Sequence, residues 1–331
     1  MKPIIVQFSV VVGWVAGAAL GLAGVAAFAQ NVERAEMRIM PAEHVPAAAT
    51  SMMLSATLAG TRIVAVGDHG VVLLSDNAGK SFRQARSVPV SSTLTAVSFV
   101  DATHGWAVGQ WGVVLNTADG GENWTLQRSD LAVDQPLFSV YFKNAREGWA
   151  VGLWSLMLHT ANGGATWTTV QLPPPPGAKK ADRNLYRIFA DSAGKLFIAC
   201  EQGRIMNSVD DGATWIYVET GYTGSFWTGV VLQDGVLLVG GLRGTIYRSA
   251  DGGNTWSASQ SSFRSSITDM LQLTDKSVVA VGLDGVTLIS RDGGASFSGN
   301  QRSDRAPLTA LSKSPADAAP PVVFSASGPV N

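Results

Sequence analysis

Six short stretches bring together residues that could do chemistry. They read "SDNAGKSF" from Ser75, "TADGGENW" from Thr117, "TANGGATW" from Thr160, "SVDDGATW" from Ser208, "SADGGNTW" from Ser249 and "SRDGGASF" from Ser290. Each has Ser or Thr first, Asp or Asn third, Gly fifth, and Trp or Phe eighth. Carboxylates beside hydroxyls could hold a cation or act as general acids. The same residue types also build a closed turn. The third residue accepts hydrogen bonds from turn amides, Gly supplies a positive φ, and the aromatic ring covers the turn. The regular recurrence favours the second reading. Asn77, Asp119, Asn162, Asp210, Asp251 and Asp292 are therefore read as structural, sealed by rings such as Trp124, Trp167, Trp215 and Trp256.

The third positions of these knots are spaced by 42, 43, 48, 41 and 41 residues. A period near 40 residues means a solenoid or a propeller. Within each period an apolar run opens the unit, as in "LTAVSF" from Leu94 or "LFSVYF" from Leu137. "GWAVG" or a weaker relative follows, then a Gly-led run such as "GVVLNT", the knot and a polar closing run. Short β-rich runs joined by Gly-bearing turns are hairpin strands, and four per repeat describe a propeller blade. Full units fall at about 51–88, 91–128, 136–171, 184–218, 225–259 and 266–299, with a shorter remnant at 307–331. The fold predicted is an all-β, seven-bladed β-propeller over residues 51–331. Its last blade would be closed by strands from both chain ends, with "ERAEMRIM" (Glu33–Met40, within an N-terminal segment 30–50) as the closing strand.

Charge and composition narrow the function. The formal net charge is -1 with only 15% charged residues, so no long-range field draws in nucleic acid. Cys200 is the single cysteine and lies in the apolar run "KLFIACEQG", which reads as a buried small hydrophobe and leaves no disulfide. His44, His69, His104 and His159 lack ligand spacing, so no metal and no cofactor are expected. Ile4–Ala29 is almost wholly apolar and ends in "AAFAQ", which fits a signal peptide cleaved after Ala29. An uncleaved membrane anchor is the alternative. Both readings put the rest of the chain outside the cytoplasm, in the periplasm if the cell is bacterial.

The knot resembles the Asp-box (BNR) repeat of sialidases and related propellers. The longer pattern in "GWAVGQWGVVLNTADGGENW" (Gly105–Trp124) and "GWAVGLWSLMLHTANGGATW" (Gly148–Trp167) is narrower. It resembles the photosystem II stability and assembly factor family, over roughly residues 50 to 300. That resemblance implies a non-enzymatic chaperone for a membrane-complex subunit, here as an exported bacterial relative. A sialidase resemblance would imply an arginine triad, a Tyr–Glu pair and an Asp acid; "MRIMP" (Met37–Pro41) is a poor match to its Arg-Ile-Pro motif. No catalytic residue is assigned, and an Asp-box glycosidase or a carbohydrate-binding lectin is the alternative.

Strand direction alternates along a blade, so the turns between second and third strands share a face with the blade-to-blade connections. The knots occupy the opposite face. The first face carries the candidate partner-binding residues His69, Trp111, Trp154 and Arg243. Aromatic residues beside Arg are typical interface anchors; packing over neighbouring turns is the other reading of the two Trp. "LPPPPGAKKADRN" (Leu172–Asn184) joins the same face, as a spacer or a stiff docking arm. On the channel strands Arg187 and Asp269 stand at equivalent registers, as an ion pair or as part of a ligand-contact ring. The expected partner of this monomer is a protein subunit of a membrane or envelope complex, with carbohydrate as the other candidate ligand.

Overall fold

The apolar runs pair as antiparallel hairpins, and the hairpins assemble into seven separate sheets. The computed structural model describes residues 38–316 and 319–330. The signal or anchor reading of residues 1–29, and Glu33–Met37 of the expected closing strand, lie outside these residues. Blades I to VI have four strands each and blade VII has three. In blade II the strands are Leu94–Phe99, Gly105–Gly109, Val114–Thr117 and Thr125–Arg128. The innermost strands of the other blades are Met53–Ala59, Leu137–Phe142, Leu185–Ala190, Phe226–Val231, Ile267–Gln272 and Leu308–Ser312. Among the described residues there is no α-helix. This is a seven-bladed β-propeller.

The core lies between blades and not at the centre of the ring. Each of seven apolar clusters joins two consecutive sheets. One packs Val64 and Leu74 of blade I against Leu94, Leu115 and Trp124 of blade II. Another packs Phe197 of blade IV against Phe226 and Val239 of blade V. The second strand, such as Gly148–Gly152, is buried at every residue because both of its faces meet a neighbouring sheet. That explains why these runs are continuously apolar where a one-faced strand would alternate.

Ring closure uses blades I and VII. Met53, Ile63 and Leu73 pack with Ala310 and Phe324, and the Phe82 ring meets Phe324 edge-on at 5.6 Å. The Thr309 hydroxyl donates to the Met53 carbonyl. Thr95 does the same to Leu137 at 2.6 Å and Thr268 to Leu308 at 2.8 Å, so the closing junction repeats an ordinary one.

The expected fourth strand of blade VII departs from the described structure. The sheet's three strands all come from residues 308–330, and residues 38–40 form no strand. Instead the N-terminal segment lies along blade I: Ala42 N–H donates to Val88 O, and Gln84 exchanges hydrogen bonds with Glu43 and Val45. Ile39 and Ala42 pack at the junction of blades I and II, and only Ala48–Thr50 of this segment reach the last strand of blade VII, beside Gly328, without pairing as a strand. The outer edge of blade VII is Gly328–Val330, and Phe324 pairs with Pro329 across the last hairpin. Pro329 lacks an N–H, which blunts that edge against a further strand.

Candidate interaction face

The knots come first because their carboxylates are the obvious chemical candidates. In each, the Ser or Thr hydroxyl donates to the third residue, as in Thr117 to Asp119 at 2.8 Å and Ser249 to Asp251 at 2.8 Å. The same hydroxyl accepts the N–H of the fifth residue, Gly121 at 3.1 Å and Gly253 at 2.9 Å. The third residue also accepts the N–H of the seventh, Asn123 at 3.0 Å and Thr255 at 2.9 Å. The indole N–H of Trp124, Trp215 and Trp256 donates to the carbonyl of the fifth residue. Trp167 differs: its N–H donates to Gln127 of blade II at 3.3 Å.

These bonds favour the ionised carboxylate. The hydroxyls of Thr214, Thr255 and Ser296, with the backbone N–H groups of the same residues, hold Asp210, Asp251 and Asp292 down to about 2. Partial burial pushes Asp119 upward, but hydrogen bonds from Asn123 and Thr117 outweigh it and leave this carboxyl low. Such groups are poor proton donors near neutral pH. No cluster of metal-ligating residues occurs among the described residues.

The knot also reaches across to the preceding blade. A Cβ at Gly253 would sit 2.9 Å from the Phe197 ring of blade IV, and one at Gly212 would sit 2.6 Å from Trp149 Nε1 of blade III. The staple therefore clamps neighbouring blades, beyond closing its own hairpin.

On the opposite face, six turns between second and third strands share one backbone shape. Their middle residues are His69, Trp111, Trp154, Gln202, Arg243 and Asp284, with φ from 52° to 61°. A left-handed conformation costs a non-Gly residue about 1–2 kcal/mol. The structure separates the two candidate indoles. Trp154 is 57% exposed, while Trp111 is half-buried against the junction of blades I and II. His69 and Arg243 are exposed. Val133, in the connection from blade II to blade III, is 45% exposed on the same face. Its neighbour Gln135 donates to the Leu153 carbonyl at 2.8 Å, beside Trp154.

The proline segment lies down on this face. Leu172 and Pro175 are buried, and Ala181 packs on the junction of blades III and IV. Ser155 N–H donates to Arg183 O at 2.7 Å, which ties the segment to the Trp154 turn. It is neither a free spacer nor a projecting arm, because its apolar residues have a junction to cover.

Arg187 and Asp269 line one end of the channel, in a cavity of about 210 Å³ with Thr57, Ser312 and Lys313. They form no direct ion pair. Asp269 accepts the N–H of Met270 and of Leu311, both at 2.9 Å. Ser55 and Ser139 use the same register to accept an N–H from the next blade, so Asp269 works as a ring bond. Burial pushes its carboxyl up, against the pull of Arg187. Cys200 is fully buried, and burial pushes its thiol far up.

Residues 76–235 match the family described as photosynthesis system II assembly factor YCF48. The matched stretch of the repeat array is photosystem II assembly factor-like. No curated protein matches the chain. Among solved structures it is similar to YCF48 bound to D1 peptide, with a TM-score of 0.65 at 18% identity over 86% of this chain and 93% of that one. It is also similar to YCF48 from Cyanidioschyzon merolae, with a TM-score of 0.68 at 17% identity over 87% and 96%. The extracellular domain of the one-component system BT4673 from B. thetaiotaomicron gives 0.63 at 9% identity over 88% of this chain and 39% of that one. At these identities the likeness is one of fold.

One feature of the site went unread in the sequence. Numbering each innermost strand from its first buried apolar residue, the second position holds Leu54, Thr95, Phe138, Tyr186, Trp227, Thr268 and Thr309. Blades III, IV and V thus place three consecutive aromatic residues where blades II, VI and VII use Thr. Aligning the strands by their distance to the knots would have exposed this arc.

Proposed function

We propose that this chain is an exported, non-enzymatic scaffold that resembles a photosystem II assembly factor and holds a protein subunit of a membrane or envelope complex while that complex assembles. The contact surface is the turn face, with Trp154 at its centre and Trp111, His69 and Arg243 around it. One contrast carries the reading: the knot carboxylates are engaged within their own turns, whereas the turn face presents six dissimilar side chains from one strained backbone shape. Strain kept at solvent-facing positions is found where a surface must present particular groups. The fold match to a propeller carrying a bound peptide supports the same direction.

Affinity capture from envelope extracts of the source cell tests this. The wild type should recover a defined membrane-complex subunit, and the double variant Trp154→Ala/Arg243→Ala should recover it with about 30-fold weaker affinity, as for loss of a ~2 kcal/mol anchor. Equal capture by the double variant would remove the turn face from the account. Hydrolysis of sialosides by the purified protein would replace the scaffold reading with the glycosidase one.

A further inference from the structure

We infer that the outer edge of blade IV is a pairing surface for a second copy of this chain, the two Ile216–Glu219 strands joining antiparallel into one eight-stranded sheet. The dimer is independent of the scaffold reading and replaces the monomer expected from the sequence.

Every blade ends in an edge strand, which offers unpaired backbone groups to any other strand. Among the described residues the other six edges are blunted. Along blade I, Ala42 N–H donates to Val88 O and His44 bonds Arg86 O, so the N-terminal segment covers the edge. The outer strands of blades III and V are two residues long. The outer strand of blade II pairs through a register shift, that of blade VI is the run Ser298–Gln301 without an apolar side chain, and Pro329 stands in that of blade VII.

Blade IV has none of these devices. Its outer strand is four residues long, reads Ile-Tyr-Val-Glu and lies last in its sheet. Thr220 N–H donates to Gly203 O directly opposite. By alternation Ile216 and Val218 also bond inward, while Tyr217 and Glu219 turn their backbone N–H and C=O outward. No described residue bonds to those outward groups. The flanking side chains are apolar as well. Ile216 is 60% exposed and Val209 77%. In blade I the same two positions hold Arg83 and Asp76, which pair at 3.2 Å, so Ile216 and Val209 are neighbours. The four remaining knots are followed by Thr or Ser where blade IV has Ile216.

The edge is complementary to itself. Setting Tyr217 opposite Glu219 of the second copy makes four backbone bonds about a two-fold axis at Val218. The charges agree with that alignment. The knot end of the strand is acidic, with Asp210 and Asp211. The turn end lies beside the exposed Lys179 and Lys180, in the segment whose Ala181 packs with Tyr217. There Arg183 and Arg204 offset Asp182 and Glu219. Antiparallel pairing brings the acidic end of each copy to the basic end of the other, whereas parallel pairing would oppose like charges. The two turn faces then point in opposite directions and stay open.

Sedimentation equilibrium of the protein purified from its source cell tests this. The wild type should pass from monomer to dimer between about 1 and 100 µM, as for a small interface. Ile216→Lys, a charge on an exposed edge, should weaken the dimer about 10-fold or more with an unchanged melting temperature. Lys180→Glu should weaken it about 3-fold, and adding Asp211→Lys should restore it. Val218→Cys should form a covalent dimer with oxidised glutathione, because residues at a non-bonded antiparallel position stand about 4.5 Å apart, within disulfide reach. Leu126→Cys on blade II should not. A wild type that stays monomeric at about 100 µM would overturn the pairing. So would a dimer untouched by Ile216→Lys, failure of Asp211→Lys to restore, or equal cross-linking through residue 126. Recovery of Val218→Cys cross-linked only to a different protein would also overturn it.

Discussion

The knots and the turns are built on the same backbone strain and use it in opposite ways. In the knots the fourth and fifth residues are both left-handed, and every one is Gly except Ala78 and Asp211. In the turns two consecutive residues are left-handed as well, but the first, the middle residue of the turn, is never Gly, and the second is Gly except for Ser155. The knots repeat one composition because each must fit the same cleft against the preceding blade. The turns differ from blade to blade because nothing inside the ring dictates their side chains. Repetition marks what holds the propeller together, and variation at a costly position marks what meets other molecules.

The largest expected effect tests the knots. Trp215 is buried and donates to Gly212, so Trp215→Ala should destabilise by about 3–5 kcal/mol in chemical denaturation. Trp154→Ala should stay within about 0.5 kcal/mol of the wild type. Similar losses at both sites would erase the contrast.

A smaller effect sharpens it. Gly253→Ala must place a methyl group 2.9 Å from Phe197 at φ +88 and should cost about 2 kcal/mol or more. Arg243→Gly relieves the same kind of strain at an exposed turn, offset by greater freedom of the unfolded chain, and should change stability by less than about 1 kcal/mol in either direction. Paired denaturation curves check both. A costly glycine at residue 243 would mean that Arg243 packs as the knots do.

The smallest effect is spread over several sites and depends on pH. Asp210, Asp251 and Asp292 sit at about 2 in the folded chain against an ordinary 3.8. A depressed carboxylate contributes stability that is complete above its unfolded value and is lost as pH falls through the folded one. Urea midpoints should therefore hold from pH 7 to about 5, then fall steadily between about pH 4 and pH 2. Replacing the three by Asn, which Asn77 and Asn162 show the knot accepts, should flatten that decline. An unchanged decline would place the acid-sensitive groups elsewhere.

Most of the fold was legible because the ring repeats its own grammar. The blade boundaries, the strand count and the place of the knots all follow from a period near 40 residues and from continuous apolar runs. The closing blade was harder. Val322–Ser325 and Gly328–Val330 complete its sheet without a knot, and the upstream segment binds blade I through Gln84 and Val88, contacts that leave no periodic trace. Which Trp is exposed was not legible either, since Trp111 and Trp154 share a register and differ only in what the adjacent blade offers them. The proline segment misled for a related reason: Leu172 and Pro175 look like part of a stiff spacer until the junction of blades III and IV is there to receive them. The Arg187 and Asp269 pair showed the limit of reading registers alone. Equal register placed both in the channel, yet the Leu311 N–H already occupies Asp269.

The division between the two faces is tested most directly by hydrogen exchange on the protein with its captured partner bound. Slowed exchange should fall on Gln110–Gly112, Leu153–Ser155 and Leu242–Gly244, with the knots at 117–124 and 249–256 unchanged. Protection of the knots with the turn face unaltered would contradict the account.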